Sequence, residues 1–275
     1  MITSAVIAAI SDDTDPRLRE IMEALVSHLH DFARDVNLNT SEWLEGMNFL
    51  VRAGQMSNEK RNEVILVADI LGLESVVDAL TFGASGDTTE SAVLGPFYRE
   101  GAPMLPDGAS IVQDGSQEQT VLVQGVVFDA NGKPLAGATL DIWETAPNGL
   151  YEQQDPDQPD MNLRGKFATG PDGRYSFIGL RPVEYPIPFD GPAGDLLQLM
   201  GRHPYRPGHI HFIVNAPGHK KLITQIFDRD ASYLDSDAVF AVKDSLLVDF
   251  SPAPKNAATD YIVNYDIELT SADQA

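Results

Sequence analysis

Near residue 83 the hydrophobic pattern of this chain changes period, which limits it to a fold with helices first and sheet second. From Asp15 to Leu80 apolar residues recur at helical spacing, through Leu18, Ile21, Leu25, Leu29 and Phe32, then Trp43, Met47 and Leu50, then Val64, Ile65, Val67, Ile70 and Leu71. Thr40 or Ser41 stands where a helix ahead of Trp43 needs an N-cap. Ser57 does the same for the stretch running to Leu80, with Lys60 in place of the usual acid three residues on. Three or four helices are expected. Residues 83–110 are rich in Gly, Pro, Ser and Thr and break any long helix. Beyond them TVLVQGVVFD (120–129) alternates, Asn131–Gly132 supplies a turn, and ATLDIWET (138–145) resumes, which predicts a β-hairpin. The runs GRYSFIGL, HIHFIVNAP, KLITQIF and YIVNYDIEL continue with the spacing of a β-sandwich. The expected class is α+β, with a helical region over residues 1–95 and a β-sandwich over 96–275.

Composition narrows the partners. The chain carries 41 acidic against 19 basic residues, a formal net charge of −22. Nucleic acid and anionic membrane would both be repelled, which leaves a small molecule or another protein. There is no cysteine, so disulfides, thiolate zinc sites and iron–sulfur clusters are excluded. The N-terminal apolar stretch lacks a basic flank and is followed by acidic residues, unlike a secretory signal. No apolar run approaches the roughly 18 residues of a membrane span. A soluble cytoplasmic protein is expected.

The segment RPGHIHF at 206–212 carries the clearest chemistry. In a strand residues i and i+2 share a face, so His209 and His211 can meet one ion. A His-x-His pair is often no more than surface or core histidine, but Pro207 and Gly208 clear the space beside this one while Phe212, Ile213 and Val214 continue a buried strand. His203 and His219 adjoin Pro or Gly in turns, and no Glu follows the pair as a cupin would require. Tyrosinate is the remaining anionic donor, a hard ligand that suits Fe(III), and Tyr151, Tyr175, Tyr185 and Tyr205 all lie in the same half of the chain. Tyr175, with Phe177 two residues on, reads as a core aromatic. The residues alone leave the four open.

The segments GPFYREGAP, DIWETAPNGLY, EYPIPFDGPAGDLLQLMGRHPYRPGHIHF and APGHKKLITQIF resemble the intradiol ring-cleaving dioxygenases, the catechol 1,2-dioxygenase group, over roughly residues 15 to 250. The resemblance implies one Fe(III) per chain held by Tyr151, Tyr185, His209 and His211. Tyr151 follows the N-G-x-Y turn, and Tyr185 rather than Tyr175 lies 24 residues before His209. It further implies an aromatic diol and O2 as substrates. Arg206 would stand over the substrate ring, Gln225 would orient the intermediate, and Tyr185 would take up a substrate proton. A homodimer through the N-terminal helices, with a phospholipid buried at its interface, is also implied.

Family position makes Val77, Asp78, Val93, Leu94, Gly95, Pro96 and Phe97 candidate substrate contacts. Ile187, Pro188, Arg206 and Val239 join them. VLGPFYREGAP, PIPFDGPAGDLL and YLDSDAVFAVK look closest to the hydroxyquinol 1,2-dioxygenases, with catechol or chlorocatechol enzymes as the alternative. Asp78 would then accept a hydrogen bond from a third ring hydroxyl. A different class is represented by VQGVVFDANGKPLAGATLDIW, which also resembles carboxypeptidase-regulatory-like sandwiches that only bind or brace.

Overall fold

In the computed structural model, residues 2–58, 61–82, 88–116 and 119–272 are described, and the chain divides into two compact units, Met1–Arg52 and Ala53–Ala275. The first unit holds α1 (Ile2–Ala8), α2 (Pro16–Asp35) and the start of α3 (Thr40–Met56). Asp15 opens α2 by accepting the N–H groups of Arg17 and Leu18, with Pro16 in the first turn where no donor is needed. The apolar stripe Leu18, Ile21, Leu25, Leu29 and Phe32 stays half-exposed along α2. Asn39, rather than Thr40 or Ser41, caps α3. Its side-chain oxygen accepts from Ser41 and Glu42 while Glu42 reaches back to the Asn39 N–H, a reciprocal cap.

In the second unit the expected helix from Ser57 to Leu80 is two helices, α4 (Glu63–Ile70) and α5 (Leu73–Phe82). Gly72, with a left-handed φ of 72°, ends the first of them. Asn62 caps α4 through the Ile65 N–H, and Ser57 instead accepts from Glu63 and donates to the Ala53 carbonyl. Lys60 lies outside the described residues.

Two five-stranded sheets follow. In the first, β1 (Thr120–Asp129) is central: β4 (Arg174–Leu180) runs antiparallel on one side, and β11 (Tyr261–Asn264) and β12 (Ile267–Leu269) run parallel in succession, with β10 (Ser251–Pro252) beyond β11. Gly125 is required where β11 passes to β12, because a Cβ there would lie 1.9 Å from the Tyr265 carbonyl oxygen. The second sheet has the order β3 (Arg164–Ala168), β2 (Thr139–Trp143), β7 (His209–Asn215), β8 (Leu222–Asp228), β9 (Leu247–Val248). A short ribbon pairs β5 (Tyr185–Pro186) with β6 (Tyr205–Arg206), and α6 (Pro192–Leu199), which the periodicity did not anticipate, lies between them in the chain.

The expected hairpin of β1 with β2 is not formed. The turn at Asn131–Gly132 is present, and Leu135 returns to bond the Val127 carbonyl, but the chain then crosses to the other sheet. The reason is burial. Val123 and Val127 of β1 and Leu140 and Ile142 of β2 belong to one hydrophobic cluster between the sheets, which neighbouring strands of one sheet would not form face to face. Tyr175 sits in that cluster, 2% exposed, its hydroxyl donating to the Tyr265 carbonyl at 2.7 Å. Among the described residues no helix is long and apolar enough to cross a membrane.

Replacing Tyr175 with Phe removes one buried hydrogen bond and orphans a carbonyl, so the denaturant midpoint should report a loss of about 1–2 kcal/mol. The turnover number should stay within about twofold; a larger loss of activity would place Tyr175 in the site rather than the core.

Candidate active site

Alternation along β7 separates structure from chemistry. Ile210, Phe212 and Val214 enter the inter-sheet core, and His209, His211 and Ile213 take the opposite face, where Ile213 joins a second cluster with Phe97, Trp143, Tyr151 and Tyr185. Strand register fixes the neighbours: Trp143 stands opposite His211 on one side and Gln225 on the other, and Tyr185 stands opposite Arg206 across the short ribbon. Tyr151 arrives from a turn built by Asn148, which accepts the Leu150 N–H, and by Gly149 at φ 78°. A Cβ at Gly149 would lie 3.1 Å from that of Tyr185, so the bare turn lets the two tyrosines approach.

The four side chains converge. Tyr151 Oη is 3.3 Å from Tyr185 Oη and 3.2 Å from His211 Nε2, and the two histidine Nε2 atoms are 3.1 Å apart. All four residues are at most 3% exposed. His209 Nδ1 lies 2.8 Å from the Pro207 carbonyl, to which it donates, leaving Nε2 as a lone pair facing the cluster. Burial, with the Arg206 guanidinium adding to it, pushes His209 down to about 3, and burial and His209 push His211 well below the ordinary range. Both imidazoles are therefore neutral donors at pH 7. Burial, with Tyr185 close by, holds the Tyr151 phenol well above its usual range, against the pull of Arg206 and Arg164. Four donors about 2.1 Å from one ion, at tetrahedral or octahedral angles, lie about 3.0–3.4 Å apart. The observed separations fit that spacing, and two nitrogens with two phenol oxygens are a donor set suited to ferric iron.

Arg206 organises the rim. It is 2% exposed and makes a two-point contact with Asp237, Nε to Oδ1 at 3.0 Å and Nη2 to Oδ2 at 3.2 Å. Nη2 also donates to Gln225 Oε1 at 2.9 Å, and Nη1 lies 3.0 Å from His209 Nε2. Gln225 spends its amide group on the Val93 carbonyl at 2.6 Å, which ties the strand-free segment 88–97 to Arg206. Gly95 in that segment comes close enough that a Cβ would sit 3.4 Å from His211 Cε1. Sequence reasoning passed over Asp237, although DSDAVF contains it, and Trp143, whose ring stacks on His211 at 4.5 Å. The alternation of β2 pointed to Trp143; nothing local marked Asp237 as the partner of Arg206.

Residues 93–271 match the family model described as Dioxygenase, and residues 15–88 match that of the catechol dioxygenase N terminus. The chain belongs to the intradiol ring-cleavage dioxygenases. It is 50% identical to a hydroxyquinol 1,2-dioxygenase of Rhizobium sp. over 89% of this chain and 83% of that one, and 47% identical to a catechol 1,2-dioxygenase of Candida albicans over 98% and 91%. Among solved structures, a hydroxyquinol 1,2-dioxygenase from Pseudomonas putida superposes with a TM-score of 0.89 at 40% identity, covering 98% of this chain and 97% of that one. With that membership the alternative of a sandwich that only binds or braces falls away.

The expected substrate contacts of this intradiol dioxygenase border more than one cavity. Phe97, Ile187 and Pro188 line a cavity of about 440 Å³ with Leu150, Gln154 and Arg61. Val77, Leu94 and Gly95 line another of about 260 Å³ with Ile65, Leu73 and Glu74, and Pro96 borders a third beside Tyr98 and Arg99. Val93 and Val239 are buried, and the Val239 carbonyl accepts the Ser75 hydroxyl. Asp78 lines none of these cavities. Its Oδ2 accepts from Lys243 Nζ at 2.9 Å, and the same ammonium donates to the Ser91 carbonyl at 2.6 Å. The expected free acceptor for a third hydroxyl is thus an ion-pair partner, because Lys243 reaches it first. Tyr205 stacks on Tyr233 at 4.9 Å, His203 bonds Ser236, and His219 bonds the Pro217 carbonyl.

Burial alone would raise the Asp237 carboxyl, but Arg206 holds it below the usual carboxylate range. A depressed pKa in the folded state means that the unfolded chain takes up the proton first, so the pair stabilises above about pH 4 and is lost as pH falls through the lower folded value. Acid unfolding should therefore be steeper in the wild type than in Asp237→Asn, which at pH 7 should lose about 3–5 kcal/mol by leaving Arg206 buried without its anion. Parallel acid profiles would contradict the assignment.

Proposed function

We propose that this dioxygenase cleaves hydroxyquinol, 1,2,4-trihydroxybenzene, between its ortho hydroxyls with O2 to give the ring-opened hydroxymuconate, the enol form of maleylacetate. The observation that carries the reading is the convergence of Tyr151, Tyr185, His209 and His211 at hydrogen-bond separations beside the cavity of Phe97, Ile187 and Pro188. These four residues would hold one Fe(III) per chain. Ferric iron so held would supply Lewis acidity, drawing electron density from the ring of a bound diol and favouring its reaction with O2.

The chain's own residues do the rest. The Tyr185 oxygen, which would be a phenolate when it holds the metal, would accept one proton from the incoming diol. Arg206, fixed by Asp237 and Gln225, supplies a permanent positive charge for carbanion character developing in the ring, and its pairing means that no reorganisation is needed when that charge appears. Phe97, Ile187 and Pro188 provide apolar surface for the flat ring. Asp78 serves to hold α5 to Lys243 and the segment at Ser91, so it supports the wall instead of reading the substrate.

Hydroxyquinol is favoured over catechol by the 50% identity to the Rhizobium enzyme and by the 0.89 superposition. Catechol stays as the second reading because the Candida enzyme, at 47%, is a catechol 1,2-dioxygenase. The half-exposed stripe on α2 supports the further reading of a homodimer through the N-terminal helices, with a phospholipid bound at the interface.

Oxygen uptake measured side by side with hydroxyquinol, catechol and chlorocatechol tests the proposal. The highest kcat/KM is expected with hydroxyquinol, and a preference for catechol would overturn the substrate while leaving the chemistry in place. Tyr185→Phe should lower kcat by about 100-fold or more, and His211→Ala should lose most of its bound iron. Asp78→Ala should lower the rates on hydroxyquinol and catechol by the same factor.

A further inference from the structure

Behind Tyr151, on the side of β3, lies a charged cluster that the chemistry above does not use. Arg164 is 1% exposed, although arginine is among the residues least often buried completely. Its guanidinium carbon lies 5.7 Å from the centroid of the Tyr151 ring. Its Nε donates to Glu152 Oε2 at 2.7 Å and its Nη2 to Gln153 Oε1 at 3.3 Å, so its partners are the two residues that follow Tyr151 in the chain. Arg99 donates to the other oxygen of Glu152 and also pairs with the exposed Asp160. Two guanidiniums therefore share one buried carboxylate directly beside Tyr151; with Asp160 the four charges balance, and the Arg164–Glu152 pair is the part that solvent screens little.

The backbone delivering Arg164 is unusual. Met161 and Leu163 both have left-handed φ, at 61° and 57°, which costs energy in residues other than glycine. Asn162 between them bonds Gln113, Asp114 and Gln158, and these contacts hold the strained approach in place. Leu163 then bonds Ile111, and the next residue, Arg164, is set opposite Trp143 at the end of β3. A pair of apolar residues could fill this space at no loss of stability, since burying an ion pair brings little net gain. Position beside Tyr151 is what the pair has in particular.

We propose that Arg164 and Glu152 are positioning residues that set the donor strength of the Tyr151 oxygen toward the metal. This rests on the reading that Tyr151 holds ferric iron. A cation near the ring lowers the energy of its π electrons and of a phenolate built on it, making that phenolate a weaker electron donor; Glu152 offsets part of the effect. The two residues therefore act with opposite signs on one ligand.

Opposite signs make the test. A tyrosinate bound to ferric iron absorbs in the visible, and the band energy falls as the phenolate becomes a stronger donor. In iron-loaded protein, Arg164→Gln should move the band to longer wavelength and Glu152→Gln to shorter wavelength. Arg164→Lys, which keeps the charge, and the Arg164→Gln/Glu152→Gln double variant should both stay near the wild type. Arg99 keeps Glu152 paired when Arg164 is replaced, and iron content measured on each variant identifies any that has simply lost its site. Single-variant shifts in the same direction, or none in iron-replete protein, would overturn the proposal. Iron-loaded wild type without a visible band would instead overturn the underlying assignment of Tyr151 as a ligand.

Discussion

Two imidazole nitrogens 3.1 Å apart, both neutral through burial, face two phenol oxygens within 3.3 Å of their neighbours in the same group. Four donor atoms so close aim at one point, and the apolar side chains of Phe97, Trp143 and Ile213 pack with the two tyrosines around them. A shared cation would bind all four once the phenols give up their protons. The sandwich makes the arrangement tolerable because the other face of β7 is anchored in the core through Ile210, Phe212 and Val214, so the histidines are held by packing that does not involve them. The short ribbon of β5 with β6 brings Tyr185 and Arg206 to the same place from outside the main sheets.

Charge compensation extends outward from this centre. Arg206 is neutralised by Asp237 and steered by Gln225, and through Gln225 it fixes the segment that carries Val93, Leu94 and Gly95 past His211. On the far side Arg164 answers Glu152 beside Tyr151. Each buried cation thus has its anion within hydrogen-bond reach, which lets two guanidiniums approach the site in a protein whose net charge is −22.

Much of this was legible in the chain because it is local. The change from helical to alternating spacing marked the order of the two halves, and the face shared by His209 and His211 followed from strand geometry alone. Tyr151 and Tyr185 were reached through resemblance, since spacing offered four tyrosines equally and only tertiary structure sends the Tyr175 hydroxyl to the Tyr265 carbonyl. The failures were long-range. The turn at Asn131–Gly132 signals a reversal but not which sheet receives β2, and that is decided by the shared core of Val123, Val127, Leu140 and Ile142. Asp78 looked available until Lys243, 165 residues away, took its carboxylate, and Asp237 had no mark of its role until Arg206 was placed 31 residues from it.

The central claim is that two tyrosine oxygens and two histidine nitrogens hold one ferric ion. Resonance Raman scattering excited in the visible band of the iron-loaded protein reads the tyrosine half directly, because only coordinated phenolates are enhanced. The account predicts phenolate modes from two tyrosines, with one set lost in Tyr151→Phe, the other in Tyr185→Phe, and both retained in Tyr175→Phe. A spectrum without enhanced phenolate modes, or one that Tyr151→Phe and Tyr185→Phe both leave unchanged, would contradict it.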